Sequence, residues 1–154
     1  MAYLFDTDAI SHLFKKSPLP AYVTWVTGIP LDDQFTCVPV VAELFAGAFA
    51  VDDPIHLERI RRHIIPELTI LPFGLREAEV YGRIRSALRQ RGDLVADLDL
   101  MIGACAAAHG LTLVTGNRQH FERMVPLGVS CCWVLADALA DASAEATRTA
   151  KKNR

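Results

Sequence analysis

Five carboxylates occupy places where charge is costly: Asp6 and Asp8 follow the apolar run AYLF, Glu43 interrupts VVAELFAGAFA, and Asp97 and Asp99 open DLDLMIGACAAA. An ionised acid among apolar neighbours needs a cation, several hydrogen bonds or a shifted pKa, because an unpaired buried charge costs several kcal/mol or more. No Lys or Arg lies within these three segments. The economical arrangement is convergence of the acids on a shared hard cation. Oxygen ligands without His or Cys favour Mg²⁺ or Mn²⁺ over zinc. Mg²⁺ retains waters and completes its sphere with phosphate oxygens, so the chemistry implied is hydrolysis of a phosphate ester or diester.

Such a site needs a frame that brings distant segments together. Apolar runs at Ala2 to Phe5, Phe35 to Val38, Leu68 to Leu71, Leu111 to Thr115 and Val129 to Val134 read as five strands. Helical patterns lie between them, near residues 9–15, 20–27, 40–50, 55–64, 75–90, 98–109 and 118–124. Alternation of the two, with strands apolar on consecutive residues, predicts an α/β fold with a mainly parallel sheet in an α/β/α sandwich. In such sheets the working crevice lies beyond the carboxyl ends of the strands. Asp6 and Asp8 follow the first strand, Glu43 lies early in the helix after the second, and Asp97 and Asp99 begin the helix before the fourth.

Two residues apart on a helix means about 200° around it, so Asp97 and Asp99 cannot both face one site. Asp97 is read as the N-cap and Asp99 as the inward acid, since Leu100 to Ala108 are apolar nearly all round. Glu43 has almost no polar neighbours, which argues for a buried site role over solvent exposure. Asp6 and Asp8 fall on one side of an extended chain with Thr7 on the other; either could instead cap the following helix, Asp8 being the better cap candidate and Asp6 the stronger ligand.

The 154 residues suit one domain, with 1–134 as the folded unit and 135–154 as a helical or frayed tail. No apolar stretch reaches the roughly 18 to 20 residues of a membrane span, so a cytoplasmic protein with no membrane is expected. Cys37, Cys105, Cys131 and Cys132 lack zinc-site spacing and read as buried reduced thiols. A net charge of -2 does not announce a nucleic-acid binder. Local basic clusters exist at Lys15–Lys16, Arg59–His63, Arg83–Arg91 and Arg118 with Arg123, either as solvated helix faces or as a basic rim around the acids. His12, His56, His63 and His109 show no metal spacing and read as solvated or capping residues, and Trp133 as core.

From Tyr3 to about Trp133 the chain resembles PIN-domain ribonucleases of the VapC type, the toxin half of toxin–antitoxin pairs. Four ordered blocks carry the resemblance: YLFDTDAIS, PVVAELFAGA, DLDLMIGACAAAHGLTLVTGN and NRQHFERMVPLGVSCCW. It implies that Asp6, Glu43 and Asp99 are the metal-binding and catalytic acids, that Ser11 is the small polar residue after the first strand, and that Thr115 and Asn117 form the T-x-N turn. It further implies Mg²⁺-dependent cleavage of single-stranded RNA, a homodimer, and a VapB-like antitoxin whose tail covers the site. The chain departs from many relatives at one place, where His120 precedes Phe121 instead of a fourth acid. That replacement leaves the number of metal ions open, with His120 reading as a phosphate contact or a turn residue.

Two other readings compete. The FDTD segment also fits a haloacid-dehalogenase-like phosphatase, in which Asp6 attacks phosphorus and Asp8 acts as the acid. A PIN-like module that binds RNA or protein without cutting is the second.

Overall fold

The computed structural model describes residues 1–152 and contains five short strands that form one wholly parallel sheet. The strands are β1 (Tyr3–Phe5), β2 (Gln34–Cys37), β3 (Thr69–Leu71), β4 (Thr112–Val114) and β5 (Cys131–Cys132), ordered β3-β2-β1-β4-β5. Between β1 and β2 lie α1 (Thr7–Leu13) and α2 (Pro20–Thr27); between β2 and β3 lie α3 (Val38–Ala50) and α4 (Pro54–Arg59). Helices α5 (Leu75–Gln90) and α6 (Asp97–His109) connect β3 to β4, and α7 (Arg118–Phe121) leads to β5. A last helix, α8, runs Val134–Lys152.

This order is the doubly wound kind. Connections from β1 step outward to β2 and β3, then cross back to β4 and β5, so with right-handed crossovers α1 to α4 and α5 to α7 cover opposite faces. The expected α/β/α sandwich of about five strands is thus the observed fold. The direction of winding reverses between β1 and β4, which pair through Tyr3↔Thr112, Leu4↔Leu113 and Phe5↔Val114. Leu4, Phe5, Leu113 and Val114 are buried at the centre of the core, as the continuous apolar strands required.

Element ends follow local chemistry. Pro20, Pro39 and Pro54 sit in first helical turns, where a missing N–H costs nothing. Gly110, at φ 64°, closes α6 in the left-handed conformation. The segment read as one helix over 55–64 is instead α4 followed by a wider π turn at Ile60–Ile64, and 118–124 is α7 running into a 3₁₀ stretch at Glu122–Leu127 that contains Pro126. The tail is helical to Lys152; Asn153 and Arg154 lie outside the described residues. No helix among those described is long and apolar enough to cross a membrane.

Candidate active site

β1 ends at Phe5, and the very next residue both stops the strand and starts the helix. Asp6 has extended backbone, and its Oδ1 accepts the Ala9 N–H at 2.7 Å, so Asp6 is the N-cap of α1. The capping role considered for Asp8 therefore falls to Asp6, because the helix begins at Thr7. For the same reason the strand alternation that set Thr7 opposite the two aspartates does not extend this far. Asp8 is exposed in the first turn, and Ser11, half-buried in α1, is not among the residues lining the acidic cavity.

That cavity, of about 90 Å³, is lined by Asp6, Thr7, Asp8, Glu43, Asp99, Ile102 and Asn117. It lies at the carboxyl ends of β1 and β4, where the winding reverses, which is the place the fold reserves for ligands. The three principal acids arrive from three elements: the end of β1, the second turn of α3 and the first turn of α6. Their side chains are held by different neighbours. Glu43 Oε2 accepts a hydrogen bond from the Thr7 hydroxyl, and Asp99 Oδ2 lies 2.7 Å from His120 Nδ1. His120 Nδ1 also lies 2.8 Å from the side-chain amide of Asn117. The Asn117 backbone N–H donates to the Thr115 hydroxyl at 2.9 Å, fixing the turn after β4.

Asp6 is 4% exposed, and burial pushes its carboxyl up to about 7. The Thr115 hydroxyl and the Ala9 N–H pull it down, while Asp8 and Asp99 add repulsion. A divalent cation would relieve both the desolvation and the crowding. Among the described residues no three His, Cys, Asp or Glu side chains are already gathered at metal-binding distance. The acids share one cavity, and Glu43 and Asp99 are drawn toward Thr7 and His120. The donor set nevertheless fits a hard cation: three carboxylates, a fourth at the rim, a hydroxyl and an amide, with neither thiol nor free imidazole required.

Several expectations are corrected by the geometry. Asp97 is not the N-cap of α6: that position is Ala96, and Asp97 is the first helical residue, its carboxylate taken by Arg85 and the Tyr81 hydroxyl. Its two-residue offset from Asp99 does turn it away from the acids, and it does not line their cavity. Glu43 is exposed, and the apolar neighbours that argued otherwise belong partly to a solvent-facing surface, with Val38 and Phe49 exposed beside Ala42 and Ala46. His12 is buried, its Nε2 accepting the Leu19 N–H at 3.1 Å, and burial followed by the Lys15 charge holds its pKa below the usual value. Trp133 is half-buried, its ring carrying the Arg118 guanidinium 5.0 Å from the centroid. Cys37 and Cys105 are buried and Cys131 and Cys132 half-buried; all four are free thiols.

Thr7 is the cavity neighbour that residue pattern alone missed. A hydroxyl between two aspartates could have been noticed, but its partner Glu43 is 36 residues away and only the fold joins them.

Known proteins share both the sequence and the frame. The family described as PIN domain matches residues 3–125. Ribonuclease VapC2 of Haemophilus influenzae is 30% identical over 129 residues, covering 82% of this chain and 95% of that protein. Toxin FitB of Neisseria gonorrhoeae is 32% identical over 125 residues, covering 77% and 89%. The crystal structure of FitAcB from Neisseria gonorrhoeae superposes with a TM-score of 0.75 at 30% identity, over 84% of this chain and 95% of that one. With the acids that follow β1 and lie in α3 and α6 lining one cavity at the switch of a parallel sheet, and with the family match over residues 3–125, this chain belongs to the PIN domain family.

Proposed function

We propose that this protein is an endoribonuclease that hydrolyses phosphodiester bonds of single-stranded RNA, and that it acts in the cytoplasm as the toxin of a toxin–antitoxin pair. The observation that carries the reading is the shared cavity of Asp6, Glu43 and Asp99, in a chain whose relatives are called ribonucleases VapC and toxin FitB. Residues 1–134 form the nuclease unit of this reading, and 135–154 are appended to it.

Asp6, Glu43 and Asp99 would hold Mg²⁺, with Mn²⁺ as a substitute, and Asp8 and Asn117 stand at the rim for water or phosphate. The ion supplies Lewis acidity for the phosphoryl oxygen and for the attacking water. The chain supplies position. The Ala9 N–H and the Thr115 hydroxyl hold the Asp6 carboxyl, Thr7 holds one oxygen of Glu43, and His120 holds one oxygen of Asp99. The other nitrogen of His120 would meet an RNA phosphate as an N–H donor. Lining by oxygen donors, with no Lys among them, disfavours the phosphatase reading of Asp6 and Asp8.

A VapB-like antitoxin is the partner in this reading, by likeness to the complexes named FitAcB of Neisseria gonorrhoeae and VapBC of Salmonella typhimurium, the latter bound to DNA. The exposed apolar surface of α3, next to Glu43, gives such a partner or a second copy in a homodimer something to cover.

Incubation with single-stranded RNA and, separately, with a phosphate monoester tests the proposal. RNA should be cut internally in Mg²⁺ and left intact in EDTA, with Glu43→Gln and Asp99→Asn each reducing cleavage by roughly 100-fold or more. Monoester turnover with RNA left intact would favour the phosphatase, and RNA binding without cutting would favour the non-catalytic module.

A further inference from the structure

Helix α8 lies wholly outside the stretch matched by the PIN domain family, and residues Ser143 to Lys151 stand free in solvent. Its first two turns behave differently. Leu135 is fully buried, and both Leu135 and Leu139 press on Gly116, the middle residue of the Thr115–Asn117 turn. A Cβ at Gly116 would stand 3.1 Å from Leu139 Cδ1 and 3.4 Å from Leu135 Cδ2. Gly116 is not in the left-handed region, so its missing side chain serves close approach and not backbone freedom. Two residues further on, Arg118 is tied to the same helix: its guanidinium reaches Asp137 Oδ1 at 2.6 Å and lies over the Trp133 ring that precedes the helix.

The turn so held is the one that orients the acids from behind. Thr115, fully buried, gives its hydroxyl to the neighbourhood of Asp6 and accepts the Asn117 N–H, while Asn117 meets His120, which holds Asp99. Motion of Gly116 therefore reaches Asp6 through the Thr115 hydroxyl and Asp99 through the His120 ring, whose Nδ1 faces both Asn117 and Asp99. A displacement of this kind far from the reacting atoms is enough to lower a rate substantially.

We propose that the start of α8, through Leu139 against Gly116, is a positioning element of the active site, setting the Thr115–Asn117 turn that aligns Asp6 and Asp99. The inference rests on the ribonuclease reading. It gives a task to a segment in which the residue pattern shows no chemistry.

The test is a size-exchange cycle in the full chain. Gly116→Ala sets a methyl 3.1 Å from Leu139 Cδ1, so that the helix side chain or the turn must give, Leu139→Ala opens a gap, and the double variant places the small side chain opposite the added methyl. RNA cleavage is read as kcat and KM, and amide hydrogen exchange is read at Asn117, whose N–H is bonded to Thr115. Each single variant should lower kcat on the order of tenfold with KM within about twofold, and should speed exchange at Asn117. The double variant should recover most of both. A purely structural contact would not give rescue in kcat: equal or additive losses in the double variant would overturn the proposal, as would wild-type kcat and exchange in both single variants. If wild-type protein cuts no RNA while the exchange cycle behaves as described, the ribonuclease reading fails and the coupling of α8 to the turn stands.

Discussion

Asp6 carries opposing demands in one side chain. As N-cap it contributes about 1 kcal/mol to α1, yet burial and two neighbouring carboxylates raise its pKa to about 7. Because the folded pKa lies above the unfolded value of 3.8, the folded chain holds this proton more tightly, and stability falls as pH rises from about 4 to about 7. A shift of this size corresponds to about 4 kcal/mol once the residue is fully ionised. Asn caps a helix as well as Asp does. Asp6→Asn should therefore stabilise the metal-free protein by about 1 to 3 kcal/mol near pH 8, with the gain vanishing below about pH 4. Urea denaturation in EDTA at both pH values measures this, and a variant less stable than wild type near pH 8 would show that repulsion and desolvation do not dominate at Asp6. Sequence made this residue readable because an acid directly after AYLF has no local cation. That it, and not Asp8, is the cap was not readable, since the choice depends on where the strand stops, a matter of one residue.

The elements bring such residues together, and α5 and α6 show how. Glu77 in the first turn of α5 is buried, accepts the Gly74 N–H at 2.8 Å and meets His109 Nε2, at the end of α6, at 2.7 Å. Burial raises its pKa, but the Gly74 and Glu77 backbone N–H groups and His109 outweigh that and hold it below 4.5. A depressed carboxylate contributes stability above its unfolded pKa and loses it as pH falls through the folded one. Glu77→Gln should cost roughly 1 to 3 kcal/mol at about pH 7 and much less at about pH 3. Thermal or urea unfolding at the two pH values reads the difference; an equal loss at both would assign the effect to packing. Strand and helix order was legible from apolar runs and prolines, because continuous burial on both faces marks parallel strands. The Glu77–His109 tie was not, since 32 residues separate the partners, and neither was the π turn at Ile60–Ile64, whose widening has no residue-level signal. Asp97 misled as a cap because Asp at N1 and Asp at N-cap differ by a single position, and Arg85 and Tyr81 drew its carboxylate outward.

At the scale of the molecule, the doubly wound sheet positions the candidate site: it reverses at β1 and β4, and acids from elements on both faces line one cavity there. The apolar surface of α3 beside Glu43 belongs to the same scale, since the α3 pattern read as burial within one chain is solvent-facing until something covers it. The central claim is that Asp6, Glu43 and Asp99 act as one binding set for a divalent cation. Isothermal titration of Mn²⁺ into wild-type protein and into Asp6→Asn, Glu43→Gln and Asp99→Asn tests it most directly. Wild type should bind, and at a free ion concentration of about 100 times Kd should gain about 2.7 kcal/mol of stability. Each variant should bind at least about tenfold more weakly. Wild-type affinity in all three variants, or no Mn²⁺ binding by wild type, would contradict the account.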